Sequence, residues 1–356
     1  MTHKKLDGLK FTWWAPSNIA LVKYWGKKEG HQLPANPSVS LTLNESKTRV
    51  ELNVLKTEEC SQNTPWIDLY FSGKKMPSFI PKIEKFFKHA SEELPFLNDY
   101  KFLLKTENTF PHSAGIASSA SSMAALALNL VELEQTVKGH NFSETEFWQR
   151  ASFLARMGSG SACRSVFPHA ASWGETDNFG SDLFAERVEC HPIFKSMYDS
   201  IVVVNASEKK VSSRAGHGLM NDHFYGKARY HHALTNWHHS IEWLKDGSWD
   251  NLGNLVEEEA LSLHAMMMTS RPGYILMEPQ TITAIHLVRE YRYRTGVPLY
   301  FTLDAGPNLH LLYPEEYRAD VSKFLVDLKD QLGANVSIID DKVGTGPYRI
   351  KEKEQL

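Results

Sequence analysis

The sequence contains little cysteine. Its 356 residues include Cys60, Cys163 and Cys190 and no other cysteine, and these three lie far apart without a Cys-x-x-Cys pair. This number and spacing argue against a disulfide framework and against a zinc site built from cysteines. Thiols without a disulfide pattern are typical of a reducing compartment, so we expect a cytoplasmic protein.

The sequence also lacks a strong excess of charge and a long hydrophobic run. Its formal net charge is −3, which gives no reason to expect nucleic acid as a partner. There is no run of about 18 apolar residues that would predict a membrane span, and the N-terminal segment lacks the apolar stretch of a signal peptide. Repeats and Pro/Gly/Ser-rich linkers are absent as well, so we expect one compact, soluble, two-lobed protein with no membrane partner.

What the sequence does contain is a mixed order of strand-like and helix-like segments. Short β-branched and aromatic runs predict strands at 11–14, 19–24, 38–43, 49–55, 66–71, 201–205, 299–303, 309–313 and 334–339. Apolar periodicity predicts helices at 80–90, 119–134, 143–158, 222–245, 251–268, 280–294 and 315–332. Because strands and helices do not alternate strictly, the predicted fold class is α+β.

The segment PHSAGIASSASS, residues 111–122, is a candidate phosphate-binding loop. Small residues that run into a helix N-terminus can direct several N–H groups and the positive end of the helix dipole at a polyphosphate. The segment is neither a Walker A motif nor Gly-x-Gly-x-x-Gly. A helix start built from small residues only for tight packing would give the same pattern.

The segment APSNIALVKYWGKK, residues 15–28, offers cations for an anionic ligand. Its lysines at 23, 27 and 28 lie within six positions, and Asn18 adds an amide. If the strand continued through this segment, alternation would place Lys23 and Trp25 on one face and Tyr24 on the other. Lys27 and Lys28 are equally compatible with a solvated edge strand, whereas Lys23 follows an apolar run.

Two further motifs place polar side chains at turns. In GSGSACRS, the hydroxyls of Ser159 and Ser161 precede Arg164, whose guanidinium could bind a carboxylate or a phosphate in a bidentate manner. A helix end followed by a surface arginine would give the same sequence pattern. In FTLDAGPN, Asp304 ends an apolar strand, where a carboxylate can orient or accept a hydroxyl proton in phosphoryl transfer. An Asx-type turn residue is the alternative.

The segment SEKKVSSRAGH, residues 207–217, is rich in hydroxyl and basic groups. It could contact phosphate, or it could be an ordinary surface loop.

The order and wording of these motifs resemble one known family. NIALVKYWGK, FPHSAGIASSAS, GSGSACRS and FTLDAGPN follow one another as in the diphosphomevalonate decarboxylases of the GHMP kinase superfamily, over residues 15–308. The resemblance implies a two-lobed fold with the active site in the cleft between the lobes. Residues 1–198 would form a ribosomal protein S5 domain 2-like lobe that carries the phosphate loop, and residues 199–356 a ferredoxin-like α+β lobe.

The resemblance also implies roles for individual residues. Asp304 and Lys23 would be catalytic, and Arg164 with Asn18 would hold the substrate carboxylate. The pocket for the substrate phosphates would be lined by Tyr24, Lys27, Ser159 and Ser161. The ATP-binding residues would be Pro111, Ser113, Gly115, Ala117, Ser118 and Ser119. Ser119 would also contact Mg²⁺, and related enzymes are often homodimers.

The implied reaction is ATP-dependent phosphorylation of the C3 hydroxyl of 5-diphosphomevalonate, followed by loss of that phosphate and of CO₂ to give isopentenyl diphosphate. Relatives that use the 5-monophosphate, or that phosphorylate mevalonate at C3 without decarboxylation, are alternatives. A binding protein without turnover is a further alternative. Retention of Lys23, Arg164 and Asp304 together favours the decarboxylase.

Overall fold

The computed structural model describes residues 6–56, 66–111, 118–177, 179–205 and 213–350. Within these ranges the chain forms two β-sheets with helices packed on and between them, which confirms the predicted α+β class. None of the described helices combines the length and the apolar character that a bilayer-crossing helix requires.

The first sheet is built mainly from the N-terminal half of the chain. Its strands are β1 (Lys10–Val22), β2 (Ser38–Lys56), β3 (Trp66–Phe71), β4 (Lys74–Lys75), β5 (Tyr100–Asn108), β6 (Ala170–Trp173), β7 (Glu186–Val188) and β12 (Tyr348–Arg349). They are paired in the order β12-β1-β2-β5-β3-β4, and β6 with β7 branches from β2. β1 and β2 are antiparallel, and their register shifts on either side of Asn18, between Pro16 and Asn18 and between Ala20 and Val22.

Three helices cover this sheet: α1 (Ile80–Glu93), α2 (Ser118–Lys138) and α3 (Glu144–Gly158). α2 is buried on almost every side, as its continuous apolar sequence predicts, because it lies between the sheet and α3. α3 begins where the sequence predicts, since Ser143 and Glu146 form both hydrogen bonds of a capping box. Three-residue to five-residue 3₁₀ turns occur at Pro77–Phe79, Pro95–Asp99 and Gly160–Cys163.

The second sheet belongs to the C-terminal half. It has four antiparallel strands in the order β11-β8-β10-β9, namely β8 (Tyr198–Val203), β9 (Tyr300–Leu303), β10 (Leu309–Tyr313) and β11 (Ser337–Lys342). Its helices are α4 (Pro192–Lys195), α5 (Ser213–Gly218), α6 (Gly226–Asp246), α7 (Trp249–Thr269), α8 (Pro279–Thr295) and α9 (Arg318–Leu332), and α9 follows a 3₁₀ turn at Glu315–Tyr317. α8 and α9 cover one face of the sheet.

The two halves share a hydrophobic core. α6 and α7 place apolar side chains such as Trp237 and Val256 between Leu21 of the first sheet and Ile201 of the second. β12 returns from the C-terminal half to pair with β1, with Trp14 opposite Tyr348. The two halves therefore meet along a common core and share one sheet, and the division at 198/199 stays a prediction.

Candidate active site

One cavity at this junction collects the residues that the sequence singled out. It has a volume of about 640 Å³, and side chains from both halves line it. The predicted residues found there are Asn18, Lys23, Tyr24, Lys27, Ser119, Ser159, Ser161, Arg164 and Asp304. Residues that are remote in the chain thus line one cavity, as expected if the four sequence motifs form a single active site.

Lys23 and Asp304 form an ion pair across the two halves. Lys23 follows the last residue of β1 and Asp304 follows the last residue of β9, and Lys23 Nζ lies 3.0 Å from Asp304 Oδ1. The Lys23 side chain is only 1% exposed, whereas that of Asp304 is 31% exposed to the cavity side. Burial lowers the pKa of the Lys23 ammonium, and the Asp304 carboxylate opposes this shift. The pair therefore presents a carboxylate to solvent and to any ligand.

The backbone of Lys23 is fixed by a buried carboxylate that sequence reasoning missed. Glu259 of α7 accepts the Lys23 backbone N–H at 2.9 Å and also binds the Arg229 guanidinium at 2.9 and 2.6 Å. Asn236 donates to the same carboxylate at 2.8 Å. Because these residues lie on α6 and α7, two helices of the C-terminal half hold the end of β1. No local pattern marks them, because α6 and α7 carry many other polar and charged residues.

Arg164 is fully buried rather than on the surface, so the simpler explanation of its motif is wrong. Its Nε donates to Ser40 Oγ at 2.9 Å, and a second nitrogen donates to Ser38 Oγ. A third contact, of 3.5 Å, reaches Asn18 Oδ1. No acidic side chain forms a salt bridge with Arg164 within the part of the chain that the structure describes. The three hydrogen-bond partners are neutral, and Asp304 attracts the positive charge of Arg164 only through space, without a salt bridge. A buried charge without a directly paired anion is costly unless an anion binds beside it.

Hydrogen bonds of Asn18 and of several serines connect the walls of the cavity. Asn18 donates to the Ser165 hydroxyl at 2.7 Å and to the Ser161 carbonyl oxygen at 3.1 Å. Ser119, in the first turn of α2, lies 3.3 Å from Ser159 in hydroxyl-to-hydroxyl distance. The register shifts of β1 beside Asn18 bend the strand and direct its side chain into this network.

The predicted alternation of residues 23–25 is wrong. β1 ends at Val22, so the chain from Lys23 onward is not pleated, and Lys23, Tyr24 and Trp25 all line the same cavity. The Tyr24 hydroxyl is buried and has no hydrogen-bond partner among the described residues. Lys27 lines the cavity, whereas Lys28 is exposed and pairs with Asp182 at 2.6 Å.

Two further lysines, which the sequence motifs did not single out, line the cavity. Lys82 and Lys85 lie three residues apart on α1 and face the same space. With them, the described lining contains five cationic side chains and one carboxylate, Asp304. Such an imbalance indicates a ligand with several negative charges. The lysine-rich first half of α1 was the available signal, but its position beside the cleft is a property of the fold.

A second, smaller cavity of about 270 Å³ adjoins the first. The two share Lys82 and Ser119, and Ser118 lines the second one. Most of its other walls are apolar, among them Phe71, Phe79, Leu104, Met123 and Leu126. An apolar pocket next to a cationic one is suited to a molecule with a flat hydrophobic end and a charged end.

The predicted phosphate loop is described only in part. Ser113, Gly115 and Ala117 lie outside the described residues, which resume at Ser118. Pro111 is exposed and is not among the lining residues of either cavity. The roles of these four residues in ATP binding stay predictions.

The match to known sequences decides the family. Residues 15–185 match the diphosphomevalonate decarboxylase-like N-terminal domain, and residues 200–342 match the mevalonate 5-diphosphate decarboxylase C-terminal domain. The diphosphomevalonate decarboxylase of Gibberella zeae is 31% identical over 329 residues, which cover 86% of this chain and 81% of that protein. The chain belongs to the diphosphomevalonate decarboxylase family.

Solved structures of the diphosphomevalonate decarboxylase family share this architecture. Mevalonate diphosphate decarboxylase from Staphylococcus aureus has a TM-score of 0.82 and 28% identity, with 96% of this chain and 98% of that chain covered. A complex of MDDEF with MVAPP, AMPPCP and magnesium also has a TM-score of 0.82 and 28% identity, over 96% of this chain and 99% of that chain. The two-lobed GHMP kinase fold inferred from the motifs is confirmed.

Proposed function

We propose that this member of the diphosphomevalonate decarboxylase family catalyses the ATP-dependent conversion of 5-diphosphomevalonate to isopentenyl diphosphate, ADP, phosphate and CO₂. The observation that carries the proposal is the meeting of Lys23, Arg164 and Asp304 in one cavity, with Asp304 held 3.0 Å from Lys23. An enzyme that phosphorylates a hydroxyl and then expels CO₂ requires a base, a carboxylate-binding cation and a cationic site for phosphates.

The first step is assigned to Asp304. Its carboxylate accepts the proton of the C3 hydroxyl while the hydroxyl oxygen bonds to the γ-phosphorus of ATP and the bond to ADP breaks. Lys23, buried against Asp304, orients that carboxylate through a charge-assisted hydrogen bond. The Glu259 network holds Lys23 in register, so Glu259 is a positioning residue for this step.

The second step is assigned to the region of Arg164. The bond between C3 and the new phosphate breaks, and the electron pair of the bond to the carboxyl carbon forms the double bond as CO₂ leaves. Arg164 binds the carboxylate by charge and hydrogen bonds without giving it a proton, because a guanidinium stays protonated in proteins. Ala20, Leu263 and Ala305 contribute apolar walls to the same cavity, so developing positive charge at C3 need not face a further cation there.

ATP is assigned to the two adjoining cavities. The apolar one suits the base, and Lys82 and Ser119, which the cavities share, lie where the phosphates would cross between them. Magnesium typically keeps several waters and is held by few protein groups together with substrate phosphates. The Ser119 hydroxyl at the start of α2 fits that donor set, and no cluster of three acidic, histidine or cysteine residues is found among the described residues to form a cage. When bound, Mg²⁺ neutralises charge on the phosphates.

Lys27, Ser159 and Ser161 are assigned to the substrate diphosphate, and the surplus of cationic lining favours the diphosphate over the monophosphate.

Cys163 and Cys190 are buried and form no disulfide within the described residues, which supports a cytoplasmic location. The predicted homodimer stays a prediction.

Release of ¹⁴CO₂ from 1-¹⁴C-labelled substrate, measured together with ADP, tests the function. The proposal expects one CO₂ for each ADP and a higher kcat/KM for 5-diphosphomevalonate than for 5-phosphomevalonate or mevalonate. A higher kcat/KM for the monophosphate would identify a phosphomevalonate decarboxylase, and ADP without CO₂ would identify a 3-kinase. Binding of ATP without turnover of any of the three would leave only a binding protein.

A further inference from the structure

His217 closes one side of the cavity, where no role has been assigned to it. It lies near the end of α5, it is 7% exposed, and it is among the residues that line the larger cavity. Its ring packs against Tyr24, with 4.4 Å between ring centroids, and against Trp25, with 4.6 Å. Two aromatic neighbours therefore restrict how the imidazole can turn.

A backbone contact fixes the orientation of the ring. The Gly26 N–H donates to His217 Nδ1 at 3.0 Å. Gly26 adopts a φ of +101°, and a Cβ at this position would lie 2.2 Å from the Tyr230 hydroxyl, so the conformation requires glycine. A Cβ at Gly216 would lie 2.6 Å from the Trp25 ring. Both glycines allow the α5 segment to approach the 24–26 segment closely enough for this contact.

The same contact fixes the position of the ring proton. Burial, with a smaller contribution from the Lys27 ammonium, lowers the pKa of His217 to about 3, so the ring is neutral near neutral pH. A neutral imidazole whose Nδ1 accepts a hydrogen bond carries its hydrogen on Nε2. His217, which lines the cavity near Lys27, therefore has one N–H donor, at Nε2.

We propose that His217 is a substrate-binding residue whose Nε2–H donates a hydrogen bond to a phosphate oxygen of the 5-diphosphate, next to the Lys27 ammonium. This inference rests on the proposed function and deepens it. A donor without charge adds a directional bond to the phosphate without placing a further cation in an already positive cavity. The carboxylate end of the substrate lies with Arg164 and Asn18, so His217 acts at the phosphate end.

Two substitutions separate hydrogen bonding from packing. His217→Asn keeps an acceptor near the Nδ1 position for the Gly26 N–H but has no group that reaches the Nε2 position. His217→Gln reaches the Nε2 position and restores a donor there. We expect His217→Asn to raise KM for 5-diphosphomevalonate about tenfold or more, with kcat and the KM for ATP nearly unchanged. His217→Gln should recover most of that loss, and the Asn variant should prefer the diphosphate over the monophosphate less strongly than the wild type.

Equal KM values for the Asn variant and the wild type would overturn the proposal, and so would equal losses in the Asn and Gln variants. If the Asn variant does not fold, nuclear magnetic resonance of the ¹⁵N-histidine wild type decides, with the His217 signals identified by their loss in His217→Gln. Saturating 5-diphosphomevalonate must then shift the Nε2 signal, and an unchanged signal would refute the hydrogen bond. If the wild type binds 5-diphosphomevalonate in calorimetry but releases no CO₂, the proposed function fails while the affinities of the two variants still test His217.

Discussion

The Lys23 ammonium lies 3.0 Å from the Asp304 carboxylate, whereas the Arg164 guanidinium is held by the hydroxyls of Ser38 and Ser40. Both cations are buried in the same cavity, yet the protein balances their charges differently. The first charge is compensated by a carboxylate from the other half of the chain. The second charge has only neutral hydrogen-bond partners, all from its own half, and Asp304 acts on it through space without a salt bridge.

This difference separates the two chemical tasks of the cavity. A compensated pair can be kept in the free enzyme at modest cost and can act as a preorganised base. An uncompensated cation is paired only when an anion binds, and part of the binding energy of that anion comes from relieving the unpaired charge. The Lys23 region is therefore prepared for proton transfer, and the Arg164 region for holding the carboxylate.

The largest effect is expected from Asp304→Asn. The amide keeps the size of the side chain but cannot accept the hydroxyl proton, so kcat should fall by about 10²- to 10⁴-fold. CO₂ release under saturating substrates measures this loss. ATP binding should be preserved, and a variant that retains a tenth of the wild-type kcat would remove Asp304 from the proposed step.

Glu259→Gln tests whether the compensated region depends on its buried support. Arg229 would lose its counter-charge inside the protein, and we expect the free energy of unfolding to fall by about 3–5 kcal/mol, with kcat falling as Lys23 is displaced. Urea denaturation measures the stability. Glu258→Gln is the matched control, because Glu258 is the exposed neighbour on the same helix. If the two variants were equally stable, the hydrogen bonds of Glu259 would not contribute to the stability of the fold.

Arg164→Met tests the uncompensated region. Replacing a buried charge that has no carboxylate partner should leave the ligand-free protein as stable as the wild type or more stable. The affinity for 5-diphosphomevalonate should fall by about tenfold to a hundredfold, since charge-assisted hydrogen bonds are lost. Thermal unfolding with and without substrate measures both effects. A large loss of stability in the free protein would mean that Arg164 is structural.

The last prediction concerns the pH dependence that His217, a lining residue of the cavity, gives to stability. The pKa of His217 is lowered to about 3 in the folded protein from its ordinary value of 6.5. Between these values the unfolded chain binds more protons than the folded protein, so the contribution of His217 to stability is complete above about pH 6.5. It is lost as the pH falls towards 3, with a slope of at most about 1.4 kcal/mol per pH unit. When the free energy of unfolding is measured by urea denaturation between pH 7 and pH 4, it should change less with pH in His217→Gln than in the wild type. His238→Gln, which alters an exposed histidine, should keep the wild-type slope.

Local sequence patterns were sufficient for much of the fold. The capping box at Ser143, the uninterrupted apolar run of α2 and strand β10 follow from periodicity and turn chemistry alone. Strand β5 was missed, because it alternates weakly and contains two lysines and a glutamate. The single long strands β1 and β2 were each predicted as two, because a break in the apolar pattern inside a strand reads the same as a turn.

The residues of the candidate site that lie within the sequence motifs could be predicted from the sequence. Lys23, Arg164 and Asp304 were selected from motif wording, and the fold brings them together. Lys82, Lys85 and Glu259 could not be selected, because their importance comes from contacts across the fold rather than from neighbours in the sequence. The burial of Arg164 was likewise invisible, since it depends on Ser38 and Ser40 of another strand.

A crystal structure with 5-diphosphomevalonate bound tests the difference between the two cations most directly. The account predicts that the substrate carboxylate lies within hydrogen-bond distance of the Arg164 guanidinium and that the C3 hydroxyl donates to Asp304, with the Lys23 pair intact. A substrate carboxylate bound to the lysines of α1, with Arg164 still contacting only Ser38, Ser40 and Asn18, would contradict it.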